Sequence, residues 1–160
     1  MTRRALAGIL SLTLLSSGCA NFDKATTSRL DLIQKRGELK CGVSGKIPGF
    51  SFLSGNGNYK GLDIDICKAM AAAFIGDANK VQYRPLTAPE RFTALKTGEV
   101  DVLSRNTTFN LSRDAVGGNG ITFAPVVFHD GQGLMVRKSS GISTLKGLAN
   151  SSICVGSGTT

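Results

Sequence analysis

Residues 81–114 read VQYRPLTAPERFTALKTGEVDVLSRNTTFNLSRD, and this stretch decides the fold. Residues 81–86 and residues 99–103 have the alternating, apolar-rich pattern that predicts β-strands. Residues 87–98 between them predict an α-helix. A strand, a helix and a strand in this order predict a parallel pair of strands joined by a right-handed crossover.

The predicted helix carries its own start and stop signals. Thr87 supplies a capping hydroxyl, Pro89 lies in the first turn, and Glu90 follows the cap by three residues. We expect Phe92 and Leu95 to face the core, because they are spaced for one side of a helix.

Strands and helices also alternate in the part of the chain before residue 81. Glycines and polar turns mark the ends of these elements. The predicted elements are a helix at residues 28–35 capped by Ser28 and stopped by Gly37, a strand at 39–43, a hairpin of 50–53 and 59–62, and a helix from Asp63 that ends at Gly76. The order β-α-β-α-β predicts an α/β fold with a parallel sheet. Such sheets bind ligands beyond the carboxyl ends of their strands.

A polar segment follows the third strand at that predicted ligand-binding edge. It contains Arg105, Asn106, Thr107, Thr108 and Arg113, but no proton-transfer pair and no set of metal ligands. The position favours a binding role. A solvated ion pair between Arg113 and its neighbour Asp114 is the alternative, since such surface pairs are common and weak.

The first 20 residues have the order of a secretory signal. Two arginines precede an uncharged apolar run, and small residues follow it. That run is too short to span a bilayer. Two outcomes stay open: lipid attachment at Cys19, because residues 15–19 are similar to a bacterial lipobox, or simple cleavage after Ala20.

Export would put Cys41, Cys67 and Cys154 in an oxidising compartment, where disulfides persist. Cys41 lies in the first strand and Cys67 in the helix expected to pack beside it. The sequence therefore predicts a Cys41–Cys67 disulfide, with two reduced core cysteines as the alternative. Cys154 has no evident partner in this sequence.

The last forty residues predict a hinge and the start of a second lobe. Residues 121–128 and 134–137 predict extended segments around a polar, glycine-rich break that indicates a hinge. Residues 143–148 predict a short helix, 152–155 a strand, and 156–160 a loop that begins another helix. We therefore expect a signal at 1–20, a linker and helix at 21–37, a first lobe at 38–130, and the hinge and start of a truncated second lobe at 131–160.

Composition excludes several classes of function. The chain has 160 residues, 41% hydrophobic and 19% charged, which is the composition of a globular domain. The net charge is +8, but the basic residues are scattered and aromatic residues are few, which disfavours nucleic-acid binding. No cofactor motif and no metal site is expected. Asp63 and Asp65 point in different directions around a helix start, and a hinge or surface role is expected for His129.

From Arg36 onwards the sequence resembles the bacterial extracellular solute-binding proteins of polar and general L-amino acid ABC transporters, the family 3 type. The resemblance is carried by "RGELKCGV", "YKGLDIDICKAMAAAFIGDANKVQYRPL", "RFTALKTGEVDVLSRNTTFNLSRD", "DGQGLMVRK" and "LKGLANSSICVGSGTT". The sequence departs from the family in its weak lipobox, in the insertion-like residues 117–120, and in the absence of a second half. The resemblance implies a type II, two-lobed periplasmic binding fold whose first lobe is mostly present here.

The resemblance also implies roles for individual residues. Arg113 would grip the α-carboxylate of the ligand, because a guanidinium fork matches a carboxylate in a bidentate way. The other implied contacts are hydroxyl and backbone donors from Thr108, a backbone carbonyl of Asn106 for the ammonium group, a side-chain contact from Arg105, a pocket wall at Phe50, and closure over the carboxylate by Gly158, Thr159 and Thr160. Phe50 could equally be a core residue.

The implied function is that of a monomeric periplasmic receptor, not an enzyme, which delivers an L-amino acid to an inner-membrane ABC permease. The alternative is a dehydratase on the same scaffold that acts on a cyclic amino acid precursor. A dehydratase would need a proton-transfer group in the pocket, and residues 105–113 contain none.

Overall fold

The computed structural model describes residues 27–115 and 120–160. The predicted signal, the lipid-attachment site Cys19, most of the linker and most of the insertion at 117–120 lie outside these residues. The elements are α1 (Arg29–Arg36), β1 (Leu39–Val43), β2 (Lys46–Ile47), β3 (Ser51–Leu53), β4 (Tyr59–Lys60), α2 (Leu62–Ile75), β5 (Val81–Pro85), α3 (Arg91–Lys96), β6 (Val102–Leu103), α4 (Leu111–Asp114), and the 3-10 turns Lys138–Ser140 and Leu145–Leu148.

The central sheet has three parallel strands in the order β5-β1-β6. Leu39 of β1 lies opposite Val81 of β5, and Cys41 lies opposite Val102 of β6. This confirms the predicted β-α-β-α-β arrangement. The third strand is shorter than predicted, because only Val102 and Leu103 of residues 99–103 are in the strand. All three strands end at one edge, and the polar segment begins there.

Helix α2 covers this sheet and begins at a tight junction with the preceding loop. The amide groups of Leu62 and Asp63 donate to the carbonyls of Gly49 and Phe50. Gly61 has φ of 122°, and a Cβ atom at this position would lie 2.3 Å from the Phe50 carbonyl oxygen. Only glycine fits here without moving the backbone.

A small antiparallel sheet, β2-β3-β4, precedes α2. The predicted hairpin is formed by β3 and β4, with Phe52 opposite Lys60. The sequence did not predict β2, whose Lys46 pairs with the same Phe52 from the other side.

The core lies between α2 and β1. Cys41, Val43, Ile64 and Cys67 form its centre and are fully buried. Cys41 and Cys67 are joined by a disulfide with a Cα–Cα distance of 6.2 Å, so the predicted pair forms. Cys154 is exposed and has no disulfide partner in the part of the chain that the structure describes.

Helix α1 is capped as the sequence predicts and is fastened to the sheet by Asp101. The Ser28 side chain accepts from the Asp31 amide, and Gly37 ends the helix in the left-handed conformation. The buried Asp101 carboxylate accepts from the Arg36 guanidinium and from the Lys40 amide. Ile33 is buried, whereas Leu30 is exposed.

The predictions for α3 need correction. The helix begins at Arg91, and residues 87–90 form the capping turn, in which the Thr87 amide donates to the Glu90 carboxylate. Arg91 and Ala94 are its buried residues, while Phe92 and Leu95 are only half-buried. Leu95 packs against the core cluster of Leu86, Ala94 and Val100, as the apolar spacing predicts, whereas Phe92 lines a cleft instead of the core.

Residues 120–160 contain no β-strand in the structure, so the strand predicted at 152–155 is wrong for this chain. A strand needs a partner to bond its backbone groups, and no described segment lies alongside it as a strand. The helix predicted at 143–148 is a 3-10 turn at Leu145–Leu148 whose N-cap is Thr144. Among the described residues, no helix combines the length and the hydrophobicity that crossing a bilayer requires.

Candidate functional site

The candidate site is built on the polar segment after β6, with Arg113 at its centre. Asn110 caps the short helix α4, and its side-chain oxygen accepts from the Arg113 amide at 3.0 Å. The Arg113 side chain turns back on its own loop and donates to the Thr108 carbonyl at 2.8 Å. Only 6% of Arg113 is exposed. One hydrogen bond therefore ties the guanidinium to the backbone of its own loop.

The C-terminal residues 158–160 form the opposite side of the site. The hydroxyl oxygens of Thr108 and Thr160 lie 3.4 Å apart, although 52 positions separate these residues in the chain. A cleft of about 460 Å³ lies between the two segments. It is lined by Ala88, Pro89, Phe92, Asn110, Ser112, Arg113, Gly158, Thr159 and Thr160.

Most of the predicted carboxylate-binding residues thus come together in one cleft. The cleft is lined by Arg113, Gly158, Thr159 and Thr160. Thr108 is not in the lining, but its hydroxyl contacts the hydroxyl of Thr160. These residues offer guanidinium, hydroxyl and backbone N–H donors to a common space. A set of donors with this chemistry suits a carboxylate or another small anion.

Arg105 lies apart from the cleft lining, beside the buried Asp63. Burial lowers the pKa of the Arg105 guanidinium, and the negative charge of Asp63 acts against that shift. Burial raises the pKa of the Asp63 carboxyl, while a hydrogen bond from Ser51 and the charge of Arg105 oppose the rise. The two groups therefore influence each other through their charges, although no ion pair or hydrogen bond joins them among the described residues.

Asn106 and Phe50 are also outside the cleft lining. Asn106 is exposed in the loop between β6 and α4. Phe50 is half-buried and packs edge-to-face on Phe128, with the ring centroids 4.9 Å apart. The contact joins the loop before β3 to the extended segment at residues 121–128.

Arg91 and Phe92 belong to the site, although the sequence analysis did not identify either as a site residue. The Arg91 guanidinium lies over the Phe92 ring at 4.3 Å, and that of Arg113 lies over the same ring at 5.5 Å. Burial, together with the charges of Arg105 and Arg113, lowers the pKa of Arg91 to about 10. The sequence signal available for this role was an arginine directly beside Phe92 in the predicted helix.

The described residues contain no group of three or more histidine, cysteine or acidic side chains that could hold a metal ion. Asp63 is buried and Asp65 is exposed, so the two carboxylates do not form a pair. His129 is exposed, away from the cleft. The cleft lining itself contains neither a carboxylate nor an imidazole.

Comparison with known proteins gives a consistent result. The model of the family "Bacterial extracellular solute-binding proteins, family 3" matches residues 39–152. The general L-amino acid-binding periplasmic protein AapJ of Rhizobium johnstonii is 44% identical over all 160 residues, which cover 46% of its length. The glutamate/glutamine/aspartate/asparagine-binding protein BztA of Rhodobacter capsulatus is 46% identical over the same 160 residues, which cover 45% of its length.

A solved structure with a similar fold is the ABC transporter periplasmic binding protein from Brucella ovis with glutathione bound. It has 45% sequence identity and a TM-score of 0.75, and the match covers 82% of this chain and 41% of that protein. The fold is therefore that of the type II periplasmic binding proteins. The chain spans less than half the length of these relatives, and their names are those of binding proteins and not of enzymes.

Proposed function

We propose that this chain, which belongs to the bacterial extracellular solute-binding proteins, family 3, acts as the substrate-binding component of an amino acid ABC transporter. In this role it binds an L-amino acid in the periplasm and presents it to a membrane permease. Lipid attachment at Cys19 and cleavage after Ala20 are both compatible with that location.

The observation that carries the proposal is the position of Arg113. Its guanidinium is held at the end of the parallel sheet, it lines the cleft, and Thr159 and Thr160 lie on the other side. A ligand carboxylate between these groups would receive charge-assisted hydrogen bonds, each contributing about 1.5–3 kcal/mol. Thr108 adds a hydroxyl that already contacts Thr160.

The remaining residues complete the proposed site. The Asn106 carbonyl accepts from the ligand ammonium group, and Arg105 contacts the ligand side chain. Phe50 shapes the wall towards Phe128. We further propose that residues 38–130 form the first lobe and that residues 131–160 form the hinge and the start of the second, so that a ligand held by both is enclosed when the lobes close.

The relatives support an amino acid as the ligand class, since AapJ is named for general L-amino acids and BztA for glutamate, glutamine, aspartate and asparagine. They favour this function over the dehydratase alternative.

Isothermal calorimetry on the complete gene product tests the proposal. A panel of L-amino acids is titrated, and each ligand that binds is compared with the amine that lacks only its carboxylate. We expect at least one L-amino acid to bind with micromolar or tighter affinity and its amine to bind at least about a hundredfold more weakly. A protein that binds no amino acid, or that binds the amine equally well, contradicts the proposal.

A further inference from the structure

We propose that Arg91 is a positioning residue that fastens residues 158–160 to the turn before α3 and so holds the two walls of the cleft together. The effect on ligand release that we derive below rests on the proposed function. The contact itself does not.

The geometry gives one guanidinium two anchoring points. One terminal nitrogen of Arg91 donates to the Ala88 carbonyl in the turn before α3. The other donates to the Gly158 carbonyl at 3.0 Å, across 67 positions of sequence. Ala88 and Gly158 both line the cleft, and a Cβ atom at Gly158 would lie 3.4 Å from the Ala88 carbonyl carbon, so Arg91 bridges two segments that pack against each other. A planar fork can bridge two fixed carbonyls in this way, whereas an ammonium group acts as a single point.

The backbone of residues 158–160 is shaped for this contact. Gly158 has φ of +74°, and a Cβ atom there would lie 3.3 Å from the nitrogen and from the Cα atom of Pro89. These are backbone atoms, which cannot move aside as a flexible side chain can. Glycine therefore permits the close approach that puts the Gly158 carbonyl within reach of Arg91.

The burial of Arg91 distinguishes its role from that of a residue that selects ligands by direct contact. Only 2% of Arg91 is exposed, both of its terminal nitrogens bond to protein carbonyls, and its Nε atom is buried. Its charge also lies near the like charges of Arg105 and Arg113, and burial together with these charges disfavours the ionised form. The two carbonyl bonds offset that cost, and the Gly158 bond is lost when residues 158–160 move away.

Two consequences distinguish this role from ligand recognition. Opening the cleft must break the Arg91–Gly158 bond whichever ligand is inside, so Arg91 should slow the release of all ligands by a similar factor. Association should change little, because the ligand enters only while the cleft is open, and the bond forms whenever the cleft closes, with or without ligand.

Stopped-flow kinetics on the complete gene product test the first consequence, with one acidic and one neutral amino acid that bind the wild type. For Arg91→Gln we expect dissociation about tenfold faster for both ligands and association within about twofold of wild type. Arg84→Gln, which removes an exposed arginine paired with Glu99, serves as the matched control and should leave both rates unchanged. A change confined to the acidic ligand would overturn the proposal, and so would unchanged dissociation.

Gly158→Ala covers the possibility that Arg91→Gln does not fold, because it leaves Arg91 intact and displaces the bonded carbonyl. It should accelerate dissociation of both ligands in the same way. Gly55→Ala is its control, since a Cβ atom at Gly55 meets nothing within 4 Å. Wild-type release rates from Gly158→Ala would contradict the role of the contact.

A measurement that needs no ligand keeps the inference separate from the proposed function. In nitrogen-15 spectra of arginine side chains, the signal absent from Arg91→Gln identifies Arg91. We expect its terminal N–H groups to exchange slowly with water in the wild type, with or without ligand, and about tenfold faster in Gly158→Ala. Fast exchange in both states of the wild type would overturn the contact, whereas failure of the wild type to bind any amino acid would overturn only the proposed function.

Discussion

At the scale of single residues, the buried Asp63 gives a pH-dependent prediction. Burial raises the pKa of its carboxyl above 3.8, so the folded state holds this proton more tightly than the unfolded state does. The sign follows from linkage: the contribution of Asp63 to the free energy of unfolding falls as the pH rises from below 3.8 through the raised folded pKa. Asp63→Asn removes this dependence.

We therefore expect Asp63→Asn to gain stability relative to wild type as the pH is raised from about 3 to 6. Urea unfolding across this range measures the difference. Asp65→Asn, on the exposed side of the same helix, controls for the loss of an acid near the start of α2. If Asp63→Asn instead loses stability relative to wild type as the pH rises, the carboxylate is favoured in the folded state and the prediction is wrong.

Arg113 and Arg91 show which site residues the sequence could predict and which it could not. The cluster around Arg113 could be predicted, because it follows a strand whose end defines the ligand-binding edge. Apolar periodicity identifies positions such as Leu95, which packs against the core, but it carries no information on a guanidinium that is buried because it bonds backbone carbonyls.

At the scale of elements, the disulfide between β1 and α2 should contribute strongly to stability. It closes a loop with a sequence separation of 26, for which chain entropy predicts about 3 to 4 kcal/mol. We expect the double variant Cys41→Ala/Cys67→Ala to lose about that amount in denaturant unfolding. Cys154→Ala, which removes an exposed cysteine, is the control. Equal stability of the double variant and wild type would mean that the bond does not form in solution.

The junction between the hairpin and α2 gives a second prediction at this scale. Gly61→Ala should destabilise the protein by roughly 2 kcal/mol or more, because the new Cβ atom meets the Phe50 carbonyl oxygen at 2.3 Å and φ is 122°. Gly55→Ala, in the open hairpin turn, should change stability by less than about 0.5 kcal/mol. Thermal unfolding of the two variants compares them directly, and equal midpoints would contradict the close packing at this junction.

The elements that the sequence predicted well are those defined by local signals. Helix α1 has its serine cap and its C-terminal glycine, α2 ends at Gly76, and β1 has the predicted bounds, 39–43. The extended segments after residue 120 have equally apolar sequences but form no strand. Strand formation depends on a neighbour that is distant in sequence, and periodicity carries no information about that neighbour.

At the scale of the whole molecule, apolar exposure is concentrated after residue 120. Met135, Leu145 and Val155 are 99%, 75% and 78% exposed. We expect residues 27–160, expressed alone, to enhance the fluorescence of a dye that binds apolar surface. The triple variant with lysine at these three positions should reduce the enhancement by about half or more. No enhancement in the wild-type segment would indicate that these side chains are covered in solution.

The central claim is that the cleft binds an amino acid through its carboxylate at Arg113. The most direct test is calorimetry on the complete gene product with the amino acid that binds the wild type best, comparing wild type, Arg113→Lys, Arg113→Ala and the control Arg84→Ala. We predict no measurable binding for Arg113→Ala, severe weakening for Arg113→Lys, because an ammonium group cannot form the bidentate contact, and wild-type affinity for Arg84→Ala. A correctly folded Arg113→Ala protein that binds within about twofold of wild type would contradict the account and locate the carboxylate elsewhere.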